Sequence, residues 1–204
     1  DQASALFGNS VGTAGDVNGD GYADVLVGAP WYGNGQTKEG LAEVYLGGQD
    51  GLHTAPDWRV ESDVAQVLFG YSVSTAGDVN GDGFDDVIIG AIGWDFASDA
   101  RGAAFVYLGG PSGLPSVSSM QLDGRKVDTW YGFVSTAGDI NGDGFDDVVI
   151  GARGDGGCRR GEAYVHLGSS VGLSALPIWQ TGGDSSCVGP VVASAGDVDA
   201  DGYD

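Results

Sequence analysis

A short acidic phrase recurs along this chain at nearly constant intervals, and that periodicity limits the fold more than any other feature. It begins at Asp16 (DVNGDGYADVLVGA), Asp78 (DVNGDGFDDVIIGA) and Asp139 (DINGDGFDDVVIGA). A broken fourth copy begins at Asp197 (DVDADGYD). The spacings are 62, 61 and 58 residues. A period of this size marks an array of supersecondary units, none able to bury its apolar surface alone. The whole chain, 1–204, reads as one partial domain with units at 7–68, 69–130 and 131–187 and an incomplete unit at 188–204.

Each unit has the same internal order. A small-residue strand comes first: FGNSVGTAG at 7–15, FGYSVSTAG at 69–77, YGFVSTAG at 131–138 and VGPVVASAG at 188–196. The acidic turn follows, then an aliphatic strand (DVLVGA, DVIIGA or DVVIGA). A variable stretch leads to a third strand at 42–48, 103–110 and 162–169, and a weaker fourth lies near Trp58, Leu122 and Trp179. Four short strands separated by turn signals predict one antiparallel sheet per unit. In the second strand Val87, Ile88 and Ile89 are consecutive, so both of its faces are apolar and both need cover. Radially stacked four-stranded blades, an all-β propeller, supply that cover. A two-sheet sandwich is the alternative, but it gives no reason for a whole unit to recur.

The acidic turn has the donor pattern of a metal loop. Counting from its first Asp, positions 1, 3, 5 and 9 are Asp16, Asn18, Asp20 and Asp24; then Asp78, Asn80, Asp82 and Asp86; then Asp139, Asn141, Asp143 and Asp147. Position 6 is always Gly, and position 7 is Tyr22, Phe84 or Phe145, each able to add its backbone carbonyl. Oxygen donors alternating around a glycine turn suit calcium, which takes six to eight hard ligands. Zinc is a poor match, because the two histidines, His53 and His166, lie outside the loops. An EF-hand is excluded: position 12 is Val27, Ile89 or Ile150 instead of a bidentate Glu. Three calcium sites are expected. The fourth loop offers Asp197, Asp199, Asp201 and the Tyr203 backbone, and needs a position-9 ligand from residues beyond this sequence or from a partner. An Asx-rich turn facing water is the plainer reading, and three copies at identical spacing weigh against it.

Charge narrows the partners. Eight Lys and Arg against 29 Asp and Glu give a net charge of −21, the wrong sign for a nucleic-acid backbone. No apolar run approaches the roughly 18 residues of a spanning helix, so membrane insertion is not expected. The 42% hydrophobic content is too high for an acidic disordered chain.

With these words in view, the repeats resemble the FG-GAP repeats of integrin alpha-chain heads and related secreted proteins. The name-giving residues are Phe7-Gly8 with Gly28-Ala29-Pro30, Phe69-Gly70 with Gly90-Ala91, and Tyr131-Gly132 with Gly151-Ala152. The resemblance implies a seven-bladed propeller, calcium loops between the first and second strands of a blade, and an extracellular or cell-surface location. It also implies a binding or adhesion role toward glycan or protein. The chain holds only about three and a third units, so the rest of the ring is expected from a longer protein or from a second chain. A non-catalytic accessory portion of a secreted enzyme is the alternative role.

Ligand contacts are expected in the variable loops, since strands of a propeller are scaffold. Trp31, Tyr32, Trp94 and Phe96 offer flat apolar surface for sugar stacking or protein contact, or else pack between blades. Arg153, with Arg159 and Arg160, forms the one basic cluster and suits a carboxylated ligand. Arg153-Gly154-Asp155 spells an integrin-recognition tripeptide, but three residues carry little information. Cys158 and Cys187 either pair or remain free thiols. No catalytic constellation emerges, and His166 stands where Tyr45 and Tyr107 stand in other units, a structural strand position.

Overall fold

The computed structural model describes residues 2, 4–95, 99–154, 161–182, 191–202 and 204. Twelve strands among them make three four-stranded antiparallel sheets, each in chain order. The first blade holds β1 (Ser10–Gly15), β2 (Asp24–Ala29), β3 (Leu41–Tyr45) and β4 (Trp58–Glu61). The second holds β5 (Phe69–Gly77), β6 (Asp86–Ala91), β7 (Ala103–Tyr107) and β8 (Met120–Asp123). The third holds β9 (Tyr131–Gly138), β10 (Asp147–Ala152), β11 (Glu162–His166) and β12 (Trp179–Gly182). These are blades of a β-propeller, stacked face to face. Among the described residues no helix is long and apolar enough to cross a membrane.

The consecutive apolar residues of β6 divide between two interfaces. Val87 and Ile89 join Phe105 and Tyr107 in a core shared with Leu26, Ala42 and Val44 of the first blade. Ile88 points the other way, joining Ala104 and Val106 in a core with Val148, Ile150 and Tyr164 of the third. All three β6 residues are 0% exposed, so neither face of this sheet is a surface. Burying a side chain of this size contributes about 1.5–3 kcal/mol, and here the burial exists only because a neighbouring blade is present.

The recurring Phe/Tyr-Gly and Gly-Ala words meet across the same interfaces. A Cβ added at Gly28 would lie 2.0 Å from the carbonyl oxygen of Gly70, and one at Gly90 would lie 1.8 Å from that of Gly132. Gly28 and Gly90 therefore receive the backbone of the next blade directly. No residue with a side chain fits there without moving the strand.

Two strand expectations need correction. The first strand of the first blade begins at Ser10 instead of Phe7, whereas β5 and β9 begin at the aromatic residue itself. Phe69 and Tyr131 are held by parallel bridges to Gly40 and Gly102 of the blade before them. Phe7 has no such partner among the described residues and is 56% exposed, against 1% for Phe69. Residues 191–197 of the fourth unit form no strand and pair with no other strand among the described residues.

His166 is a structural residue, as its strand position suggested. It is buried in β11 with Nδ1 donating to the Ser174 carbonyl at 2.8 Å and Nε2 against the Tyr131 hydroxyl at 2.9 Å. Burial lowers its pKa from 6.5, opposed by the bond to Ser174. The folded state thus holds the neutral ring, and the unfolded chain takes up a proton first. Stability should be intact above pH 6.5 and decline as pH falls below it. Replacing His166 with Tyr, the residue of the other blades, should flatten the decline in thermal melts between pH 7 and 5.

Candidate metal-binding loops

The acidic turns join the first two strands of each blade and share one internal hydrogen-bond pattern. In the first loop Asp16 Oδ1 accepts the amides of Gly19 and Asp20, and Oδ2 accepts that of Gly21 at 2.8 Å. Asn18 Oδ1 accepts the same Asp20 amide at 3.0 Å, while its Nδ2 donates to Asp20 Oδ2. Asp20 Oδ1 then accepts the Tyr22 amide. Asp78, Asn80 and Asp82 repeat each of these bonds. Asp139, Asn141 and Asp143 repeat the bonds to positions 5, 6 and 7. Positions 1, 3 and 5 are thereby drawn around a single backbone amide, with lone pairs to spare.

Position 9 is placed differently. Asp24 is 1% exposed, and its two oxygens accept the amides of Val17 and Gly47. Asp86 does the same with Val79 and Gly109, and Asp147 with Ile140 and Gly168. This carboxylate thus ties the acidic turn to the end of the third strand. Burial pushes Asp86 up to about 7, opposed by its two amides and reinforced by the charges of Asp82 and Asp78. Asp24 and Asp147 are raised for the same reasons. A hard cation among these oxygens would relieve the mutual repulsion, so the donor chemistry fits calcium. In the fourth loop a carboxylate oxygen from each of Asp197, Asp199 and Asp201 lies within 4.8 Å of the others.

Position 8 was missed by the sequence reading. Asp85 Oδ2 accepts the Asp16 amide of the preceding loop at 2.7 Å, and the Asp85 amide returns a bond to the Asp16 carbonyl at 3.1 Å. Asp146 makes the same reciprocal pair with Asp78. Room for the carboxylate comes from a glycine: a Cβ at Gly15 would lie 2.3 Å from Asp85 Oδ2. Asp204 occupies the matching place beside Gly138. The position-7 rings add a second contact, Phe84 lying over Gly19 and Phe145 over Gly81. The first loop has Ala23 at position 8, and the fourth has Ala200 at position 4. A signal was available in the sequence, since the second and third copies carry an aspartate that the metal pattern does not require.

The aromatic candidates separate. Trp31 is 42% exposed, with Lys38 Nζ 4.2 Å above its ring. It lines a pocket of about 420 Å³ with Thr37, Lys38, Gln66 and Leu68. Tyr32 packs on Ala5, Ala29 and Leu41, under the Arg59 guanidinium at 4.8 Å. Trp94 packs against the interface between the first two blades, edge-on to Phe105 at 4.9 Å. Arg153 lies 5.7 Å over the Trp130 ring. Phe96, Asp155, Cys158, Arg159, Arg160, Cys187 and Tyr203 lie outside the described residues.

The FG-GAP repeat model matches residues 7–45, 69–107 and 131–166. Integrin alpha-5 of Xenopus laevis is 34% identical over 187 residues, covering 85% of this chain and 17% of the relative. Human integrin alpha-IIb is 36% identical over 162 residues, covering 76% of this chain and 15% of the relative. Drosophila melanogaster integrin alpha-PS5 is 35% identical, covering 76% and 16%. The chain therefore spans less than a fifth of the length of these relatives.

Removing the position-8 carboxylate should loosen adjacent blades. Asp85→Ala is expected to cost about 1.5–3 kcal/mol, the worth of a bond to a charged acceptor, in urea unfolding. Asp85→Asn, which keeps an acceptor oxygen, should cost less.

Proposed function

Because the chain belongs to the FG-GAP repeat family, we propose that it is a calcium-stabilised extracellular adhesion module that binds a protein or glycan ligand. Residues 1–204 form one portion of a propeller, with units at 7–68, 69–130, 131–187 and 188–204, completed by further blades of a longer protein or by a second chain. The observation that carries the reading is the three-fold recurrence of the loop hydrogen bonds around positions 1, 3 and 5.

In this reading the loops are structural. Calcium neutralises the carboxylates of each turn and stiffens the hairpin that leads into the buried second strand. The position-1 and position-5 carboxylates, the position-3 amide oxygen and the position-7 carbonyl would hold the ion, with position 9 closing the site. Successive connections of an antiparallel blade alternate between its ends, so the loop carrying Trp31 lies opposite the acidic turns. The largely apolar pocket beside Trp31, with Lys38 at its edge, suits a ligand that offers a flat or aliphatic surface together with a polar group.

Chelation should lower the thermal midpoint and added calcium should restore it; a midpoint unmoved in both directions defeats the metal assignment. Glycan and extracellular-protein arrays probed with the assembled propeller test the ligand face. Trp31→Ala should abolish saturable binding while leaving the calcium-dependent midpoint in place.

A further inference from the structure

The end of the first blade opposite the acidic turns holds a second group of carboxylates. Glu39 immediately precedes Gly40 at the entrance to β3, Glu61 ends β4, and Asp63 follows two residues later. Leu41 pairs with Glu61 across the sheet, which brings the two segments together. A carboxylate oxygen from each of Glu39, Glu61 and Asp63 lies within 4.8 Å of the other two.

Glu39 is the unusual member. Its residue is 0% exposed, its Oε1 accepts the Asn34 amide, and its Oε2 is buried with no hydrogen-bond partner. No other side-chain atom among the described residues is buried and unpartnered in this way. A carboxylate oxygen withdrawn from water without a donor is strongly unfavourable, and such a group is ordinarily paired or bound to a metal.

The surrounding charges do not supply the missing cation. Arg59 is engaged by Glu61 at 3.0 Å and by Glu43 at 3.2 Å, so its guanidinium is already shared between two carboxylates. Lys38, adjacent in sequence, lies over the Trp31 ring. Asn34 Nδ2 donates to the other oxygen of Glu61 at 3.2 Å, which holds that side chain beside Glu39. The second blade offers an internal comparison. At the positions 62 residues on, it carries Arg101, Asp123 and Arg125. Two positive side chains thus stand in the second blade where the first has two negative ones.

We propose that Glu39, Glu61 and Asp63 form a further cation site, on the face opposite the acidic turns, for a hard divalent ion such as calcium or magnesium. Three carboxylates supply oxygen donors of the right hardness. Glu39 holds the ion from within, and exposed Asp63 gives it a way in from solvent. The ion stabilises the crossing from the first blade to the second, since Ser62 Oγ, in the segment that leaves β4, already donates to the Glu39 carbonyl at 2.7 Å. This site is independent of the acidic loops and stands or falls without them.

Counting bound ions decides it. Native mass spectrometry and manganese titration by electron paramagnetic resonance would be run on the assembled propeller and on Asp63→Asn and Glu39→Gln variants. Each variant is expected to bind one ion fewer per chain than the wild type, with the remaining ions unaffected. Asp63 is exposed, so its variant decides the matter even where Glu39→Gln fails to fold. Equal ion counts for the wild type and Asp63→Asn would overturn the proposal and leave the cluster as a receptor for a basic side chain. A loss seen on changing Asp82 but not Asp63 would likewise overturn it while sparing the acidic loops.

Discussion

A sheet that is apolar on both faces has to be covered twice, and the rest of this molecule is arranged to meet that demand. Val87 and Ile89 face backward into the first blade while Ile88 faces forward into the third. The blades are therefore one cooperative stack, each supplying part of its neighbour's core. Close approach follows from the same demand. Gly28 and Gly90 stand where the next backbone arrives, and the small residues of the first strands leave space for it near the propeller's centre. The Phe/Tyr-Gly and Gly-Ala words are the two sides of one contact, which explains why they recur together.

Negative charge is organised by this stacking instead of being spread over a solvated surface. Within each turn, amides of positions 4 to 6 hold the first aspartate, and the ninth is carried inward to the strand ends. Between turns, the eighth carboxylate reaches an amide of the blade before. A net charge of −21 would push such segments apart if they were left uncompensated. Amide donors offset part of that repulsion, and the cation proposed for each turn would offset more. The cluster at Glu39, Glu61 and Asp63 poses the same problem at the other end of the first blade, with fewer donors to meet it.

Much of this was legible in the residues. Periodicity revealed the blades, and the run Val87-Ile88-Ile89 revealed cover on two sides, because both are properties of local pattern. The position of Asp85 was visible but its partner was not, since that partner is a backbone amide 69 residues earlier. Trp94 shows the same limit: an aromatic in a variable loop reads alike whether it meets ligand or the neighbouring blade, and only the fold places it against Phe105. Phe7 reads as a strand residue from its word, yet the bridge that holds Phe69 and Tyr131 comes from another unit, and Phe7 has none among the described residues. Glu39 carried no signal at all. Its interest lies in its burial, and a single glutamate before a strand ordinarily remains in water.

The reciprocal bond between Asp85 and Asp16 has a direction, and that direction bears on how such chains can be lengthened. A carboxylate always comes from the later unit and an amide from the earlier one. Tandem duplication of the second or third unit would therefore yield a daughter already equipped to fasten at both ends. The first unit, with Ala23, would arrive at an internal place without its hook. Growth by copying thus favours the later units, since Asp85, Asp146 and Asp204 carry the hook and Ala23 does not.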